Sequence, residues 1–534
     1  MARIMQWKFL CTVLFLVQNL QITSTKNILF FWGMSGYSHR ITIWPLVEKL
    51  ASSGHNVTFF SPHHPKKPTM HPNITEIVPS NLFKDIGMDY DPAEIRLTGG
   101  ITAVEKLWPL YLESGVKLCR WIAQDPDILN WLHSDSFDLV VVNGLFNDCG
   151  YAIAYKFNAS TIAYGTSSLF QWWEEVYGFP TENYPEFHYH LPVNMTFYQQ
   201  VWNTFTPLYW LALRNWYYLP LLESIIRPAL HLADMPSLLE LDQRNSLILT
   251  NTHFSEEFPR SLPPWIVSVG GMHCTDKTNP LPDNIRHFIE SWDNGIIYFS
   301  FGTYMKLPLL PQRHKDAIFG AIRKFPSIGF LMKWNGGPVS KDIPENVMTG
   351  EWLPQQEILS HPNVRAFISH GGLLGTQEAV FHAVPVIVFP FFAEQDYNAQ
   401  RIHSAERGIM MEICDLTEAK LENAIREILT NPRYKQNMKQ VSQIFRDRPS
   451  TPVDTAAWHV EYALRYKDTS FLKPIGLNRT WYERRMLHIW GFVFSVLIAA
   501  LLLVVILLRV VLSFILNKQQ HPEQSNKKIK SKKL

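Results

Sequence analysis

Apolar positions along this chain of 534 residues fall into two rhythms. Short continuous apolar runs at residues 27–32, 57–60, 139–143, 160–164, 247–251 and 266–269 predict buried strands. Between the first two runs, Ile43, Leu46, Val47 and Leu50 recur at helical spacing. Gly54 then stands where a helix C-terminus favours a residue tolerant of positive φ. Strand, helix, strand is the opening of a doubly wound α/β domain. The pattern restarts after a polar, proline-bearing segment at 275–284, with strand-like runs at 296–301, 365–369 and 384–389. Each is followed by a loop and a helical pattern. Two consecutive doubly wound domains joined near residue 280 predict a ligand cleft between them.

The ends of the chain change the picture. Arg3 and Lys8 precede an apolar run at 9–17, and small polar residues follow it. That order predicts a secretory signal peptide over 1–25, with an uncleaved anchor as the alternative. Residues 489–508 carry no charge, which suits a membrane-crossing helix of about 20 residues. Arg509, Lys518 and five further lysines follow, placing a basic tail (509–534) in the cytoplasm and the bulk of the chain in the lumen. The final Lys530-Ser531-Lys532-Lys533-Leu534 resembles a K-x-K-x-x retrieval signal for the endoplasmic reticulum. A basic contact with anionic lipid is the other reading of that tail. The resulting organisation is an N-terminal domain at 26–285, a C-terminal domain at 286–465, a return and juxtamembrane segment at 466–488, the span and the tail.

Hydrophobic residues make up 46% of the chain and the formal net charge is +2, so no overall field points to nucleic acid. Of five cysteines, Cys11 lies in the signal peptide. Cys119, Cys149, Cys274 and Cys414 lack metal-ligand spacing, and their disulfide pairing is left open. Asn-x-Ser/Thr sequons begin at Asn56, Asn73, Asn158, Asn194 and Asn478. An aromatic-rich stretch at about 198–241 includes Trp202, Phe205, Tyr209, Trp210, Trp216 and Tyr217. It reads as helices lining an apolar acceptor site or lying on a membrane surface, with plain core helices as the alternative.

Candidate chemistry concentrates between Glu351 and Gln400. Ser369-His370-Gly371-Gly372 is a glycine-bearing turn between a strand and a helix, which offers backbone N–H groups and a helix N-terminus to a diphosphate. His370 adds a donor, and Glu378 in the following helix suits ribose hydroxyls. Trp352 offers a flat face for a base, and Gln355 an amide for its polar edge.

This block resembles the signature of the UDP-glycosyltransferase family, in its animal, membrane-anchored branch that includes the glucuronosyltransferases. The likeness extends through the Ser38-His39 loop, Gly54-His55, Phe299-Ser300-Phe301-Gly302-Thr303, the C-terminal span and the lysine tail. It implies a GT-B fold, two Rossmann-like domains facing across a cleft, with the acceptor held N-terminally and the UDP-sugar C-terminally. Trp352 would stack on uracil, and Gln355 would hydrogen-bond it. Glu378 would hold the ribose. Thr303, His370 and the Gly372 backbone would hold the diphosphate, and Glu394 and Gln395 would contact sugar hydroxyls. No metal or resident cofactor is expected, the UDP-sugar being a co-substrate. His39 would be the general base of an inverting transfer to a small lipophilic acceptor.

The chain departs from the family pattern at three places. Asn143 stands where an aspartate normally orients the histidine, and Asp148 is the nearest carboxylate to replace it, with helix capping as its alternative role. Glu394-Gln395 replaces the usual Asp-Gln, and Leu373-Leu374 replaces a polar residue in the glycine-rich turn. An anionic Glu394 favours glucose over glucuronate as donor, whereas Arg260, placed near the cleft by the resemblance, is a candidate partner for a glucuronate carboxylate. The alternative function is a catalytically weakened membrane protein that binds UDP-sugar or lipophile. Membrane lipid is an expected partner, and a homo-oligomer is compatible with the sequence.

Overall fold

The computed structural model describes residues 25–530, apart from 67–68, 106, 179–183, 187–188, 193, 259 and 340–341. Side chains at 101–105 and 519–530 are likewise not described. The signal-peptide reading and the last four residues of the retrieval motif lie outside the described residues. Contacts divide the chain into a large unit reaching Lys473 and a second unit from Pro474.

Two wholly parallel sheets form the large unit. The first has seven strands in the order β3-β2-β1-β4-β5-β6-β7. These are Asn27–Phe31 (β1), Asn56–Phe60 (β2), Ile74–Ile77 (β3), Leu139–Asn143 (β4), Ser160–Gly165 (β5), Leu247–Thr250 (β6) and Ile266–Ser268 (β7). The second has six in the order β10-β9-β8-β11-β12-β13. They run Ile296–Ser300 (β8), Gly329–Lys333 (β9), Val347–Gly350 (β10), Val364–Ser369 (β11), Val386–Val388 (β12) and Gly408–Met410 (β13). Helices cover both faces, which explains why β4 and β8 are buried throughout, and β1 in all but its first residue, rather than alternating. Both sheets are doubly wound, as the GT-B reading requires.

Each strand order reverses at one point, between β1 and β4 in the first sheet and between β8 and β11 in the second. In such sheets the crevice beyond the C-terminal ends of these strands is the ligand site. The loop that leaves β11 carries His370, and the first turn of the helix that follows β1 carries His39. Helix Tyr37–Ser52 follows β1 and ends as expected, with Gly54 at a φ of +93°.

The domain boundary needs one correction. Helix Pro452–Arg465 does not close the C-terminal domain; it packs on helix Tyr37–Ser52 and on β5 and β6 of the first sheet. Lys49 and Asp454 pair across that contact at 2.7 Å. The return therefore begins before residue 466, because the apolar stripe of this helix has its complement in the N-terminal domain.

Cys119 and Cys149 form a disulfide between helix Leu107–Gln124 and helix Cys149–Lys156, and Cys274 and Cys414 are free. Asn56 opens β2 and is exposed, with its side-chain amide donating to Asn27 Oδ1 at 3.0 Å. In the second unit, helix Leu487–Lys530 contains an apolar segment over Leu487–Lys518 that is long enough to cross a bilayer.

Candidate active site

A cleft of about 370 Å³ lies where the two reversal points face each other, lined by both domains. On the C-terminal side it is lined by Thr303, Trp352, Gln355, His370, Gly372, Glu378, Glu394 and Gln395, and on the N-terminal side by His39. Nine of the eleven sequence-derived site residues thus converge on one space. Asp148 and Arg260 do not.

The glycine-bearing turn after β11 is built for close approach. Gly371 has a φ of +82°, and Ser369 Oγ accepts its N–H at 3.1 Å. Gly302, at a φ of +79° after β8, lies so near the His370 ring that a Cβ there would stand 2.5 Å from it. Helix Leu373–Phe381 begins directly after this turn, so its first N–H groups point into the cleft. One of them is already engaged: Leu373 N–H donates to Glu394 Oε1 at 3.2 Å. The Glu394 carboxylate thereby occupies one of the first N–H groups of the helix that faces the cleft. Burial pushes the Glu394 carboxyl up, opposed by its backbone hydrogen bonds. Gln395 Oε1 accepts from the Phe391 and Phe392 amides at 2.8 and 3.2 Å, which fixes the loop before it.

Glu378 and Gln355 form a coupled pair. Gln355 Oε1 accepts from Tyr298 Oη at 3.2 Å, and Gln355 Nε2 donates to Glu378 Oε2. Burial raises the Glu378 carboxyl to about 8, with the Gln355 bond opposing the shift. His370 is held neutral, lowered to about 4 by burial and then by the nearby Lys333 charge, and its buried Nδ1 has no partner.

Lys333, which the pattern of residues did not single out, ends β9 in the same cleft. Its Nζ donates to Gly302 O at 2.7 Å and lies 4.5 Å from the centre of the Trp352 ring. Burial, then Lys66, lowers it to about 8. Lys66 of the N-terminal domain stands 3.4 Å over the same ring. A lysine at the end of a parallel strand was the available signal, masked by the neighbouring apolar run.

On the opposite wall, His39 sits in the first turn of helix Tyr37–Ser52. Burial first, and His63 second, lower it to about 4, so it is neutral at physiological pH. Its buried Nδ1 has no hydrogen-bond partner. Asp148 is engaged elsewhere: Arg214 reaches Asp148 at 2.5 Å and Asp242 at 2.7 Å in a buried ion cluster. A guanidinium shared by two carboxylates outcompetes a neutral imidazole for Asp148, which corrects the expectation that it replaces the missing aspartate. Asn143 hydrogen-bonds Leu145 N–H and, at 3.5 Å, Met34 O. Asn147 clamps Met34 from both sides, accepting its N–H at 2.7 Å and donating to its carbonyl at 2.9 Å. Amides, not a carboxylate, hold the loop that presents His39.

Arg260 is also corrected. It lies buried over the Tyr184 ring at 4.0 Å and pairs with Glu257 at 3.5 Å and, more loosely, with Glu174. Two buried carboxylates consume its charge, so it is not placed to receive a sugar. The aromatic wall also differs from expectation. Trp108, Tyr111, Phe170 and Trp173 line the cleft, and the stretch after residue 197 does not.

Comparison with known proteins bears on this geometry. The family model described as "UDP-glucoronosyl and UDP-glucosyl transferase" matches residues 28–522. The chain belongs to this family. Within it, UDP-glucosyltransferase 2 of Dactylopius coccus is 31% identical, covering 92% of this chain and 93% of its own. UDP-glucuronosyltransferase 1A8 of Rattus norvegicus is 26% identical, with 93% of each chain covered. Among solved structures, a UDP-glucose: anthocyanidin 3-O-glucosyltransferase in complex with UDP superimposes with a TM-score of 0.55 at 16% identity, over 83% of this chain and 99% of its own. The protein is a UDP-glycosyltransferase of the GT-B type, and its C-terminal apolar helix and its family both suggest a membrane anchor.

Proposed function

We propose that this UDP-glycosyltransferase transfers glucose from UDP-glucose to a hydroxyl of a small lipophilic acceptor with inversion, His39 acting as general base. The observation that carries this reading is the neutral His39 facing the nucleotide-side residues across one cleft. The aromatic wall of Trp108, Phe170 and Trp173 suits a flat apolar acceptor. As the acceptor oxygen bonds to the anomeric carbon, its proton passes to the imidazole. The bond from that carbon to the β-phosphate oxygen breaks on the opposite face, and UDP leaves. Lys333, His370 and the first amides of helix Leu373–Phe381 meet the diphosphate charge, with no resident cofactor.

The choice of sugar follows from charge. Among the described cleft-lining residues Lys333 is the one lysine or arginine, and it lies beside Trp352 on the nucleotide side. A glucuronate carboxylate near Glu394 would find no cation, since Arg260 is spent on Glu257. Offered UDP-glucose and UDP-glucuronate at matched concentrations with a simple phenol, the protein is expected to release UDP with a higher kcat/KM for UDP-glucose. The reverse order would overturn the choice. Release from neither donor would favour the second reading, a weakened binder, for which the partnerless His39 Nδ1 is the supporting observation.

The Cys119–Cys149 disulfide supports an oxidising lumen for the body of the protein. Residence in the endoplasmic reticulum is part of the proposal. Exchanging Lys530 and Lys532 for serine is expected to move the protein to the cell surface, and an unchanged distribution would count against the retrieval signal.

A further inference from the structure

Three tyrosines from separate parts of the chain bring their hydroxyl groups together in the cleft, and the proposed transfer gives them no task. Tyr90 precedes helix Pro92–Glu105, Tyr111 lies on helix Leu107–Gln124, and Tyr304 stands in the loop that leaves β8. All three line the cleft. Tyr90 and Tyr111 share a hydrogen bond of 2.5 Å between their hydroxyl oxygens. Tyr304 Oη is buried without a well-aligned partner, although the Tyr90 hydroxyl is its close electrostatic neighbour. Aromatic packing fixes the rings. Trp108 meets Tyr111 edge-on at 5.3 Å, and Tyr304 lies 5.5 Å from Tyr90 and 5.7 Å from Phe392. Burial raises all three phenols, so each stays a neutral hydroxyl that can both donate and accept. A buried hydroxyl without a partner costs free energy until a ligand supplies one.

Position says what that ligand is. Tyr304 directly follows Thr303, which the family resemblance assigns to the diphosphate. Tyr111 packs on Trp108 of the acceptor wall and feels the Glu394 carboxylate through space. The cluster therefore spans the interval between the nucleotide side and the acceptor wall. A sugar passing from one to the other must sit in that interval. Glu394 and Gln395, the pair that the resemblance assigns to the sugar, have each committed one oxygen to backbone amides. The geometry points to Tyr90, Tyr111 and Tyr304 as the surface that reads the hydroxyl groups of the transferred sugar, with Tyr304 Oη as its open hydrogen-bonding position. The inference rests on the reading that this cleft holds a UDP-hexose. Uncharged hydroxyls match a polyol in the kind of bonds they make, and they discriminate because a missing sugar hydroxyl leaves a buried phenol unpaired.

The test uses the full chain in detergent micelles, with each tyrosine changed in turn to phenylalanine, which removes one oxygen and keeps the ring. Calorimetric titration compares UDP, UDP-glucose and UDP-glucoses that each lack a single sugar hydroxyl. Tyr304→Phe is expected to bind UDP as the unchanged protein does and UDP-glucose roughly two- to tenfold more weakly. For the deoxy donor whose missing hydroxyl the phenol would have met, the two proteins should bind alike. Tyr90→Phe and Tyr111→Phe should show the same pattern. Equal weakening of UDP and of every donor would mean that the tyrosines only hold the shape of the cleft, and overturns the inference. A raised KM for a simple phenol acceptor with donor binding unchanged would assign the hydroxyls to the acceptor and also overturns it, as does no change with any ligand. The deoxy-specific pattern in a protein that releases no UDP when given a phenol would refute the transfer proposed above and leave the sugar-reading cluster standing.

Discussion

Replacing His39 with alanine is expected to slow turnover by about 10²–10⁴-fold, while UDP binds with nearly unchanged affinity. In the proposed mechanism the imidazole acts on the acceptor proton and not on the nucleotide, so the loss belongs in kcat. Titration calorimetry with UDP beside steady-state kinetics separates the two, and parallel losses would remove His39 from its role. The pH profile adds a second signature. Since burial and His63 lower His39 to about 4, the base is ready throughout neutrality, and kcat should show no acid limb above about pH 5. Donor kcat/KM should behave differently. In the proposed donor site Glu378 would accept ribose hydroxyls best when ionised, which adds affinity as pH rises through about 8. Lys333 would meet the diphosphate there when charged, which removes affinity as pH rises through about 8. The product is a bell centred near that pH. Glu378→Gln should flatten its acid limb, and Lys333→Arg should push the alkaline limb out of range. UDP-glucose is the ligand for this measurement because its diphosphate diester does not titrate there.

Arg96→Ala should be the most damaging change outside the cleft. Arg96 is fully buried and comes from the N-terminal helix Pro92–Glu105, yet its partners lie in the other domain. It grips Asp396 through two bonds of 2.7 and 3.0 Å and Glu412 through two of 3.1 and 2.5 Å. His190 adds a bond to Asp396 at 2.9 Å. Burial alone would raise the Asp396 carboxyl, but the bonds from His190 and Arg96 hold it below the usual range. Removing the guanidinium strands two carboxylates and should cost about 3–5 kcal/mol of the closed arrangement. Asp396 directly follows Glu394 and Gln395, so loss of closure should appear as a donor KM raised on the order of tenfold or more, with kcat at saturation changed little. Adding Asp396→Asn to Arg96→Ala should recover part of the loss by removing a stranded charge. No recovery together with an unchanged KM would show that Arg96 does not couple the domains.

The sequence was informative where one element carries its own signal. β1, β2, β4, β5, β6, β7, β8, β11 and β12 are short apolar runs bounded by turns, and each was legible. β3 and β10 are half-buried edge strands with no apolar run to see, and β13 is three residues long. β9 is buried throughout, but Phe-Leu-Met carries no β-branched residue to distinguish it from a helix. Nine of the named residues line one cleft because local motifs carry them: eight follow the ends of β8, β10, β11 and β12 in one domain, and His39 stands at the head of a helix in the other. Asp148 and Arg260 were misplaced because the sequence shows that a charge exists but not which opposite charge folding brings against it. Arg96 and its carboxylates, about three hundred residues apart, were invisible for the same reason.

The return of helix Pro452–Arg465 to helix Tyr37–Ser52 governs the timing of assembly. Translation proceeds at about 5–20 residues per second, so on the order of 20–80 s separate the synthesis of these two helices. Throughout that interval the earlier helix has one flank without its partner, even after the last strand of its sheet, Ile266–Ser268, has been made. The N-terminal domain cannot be completed from its own residues; it must wait, and stay free of aggregation, until the nucleotide-binding half has been threaded out after it.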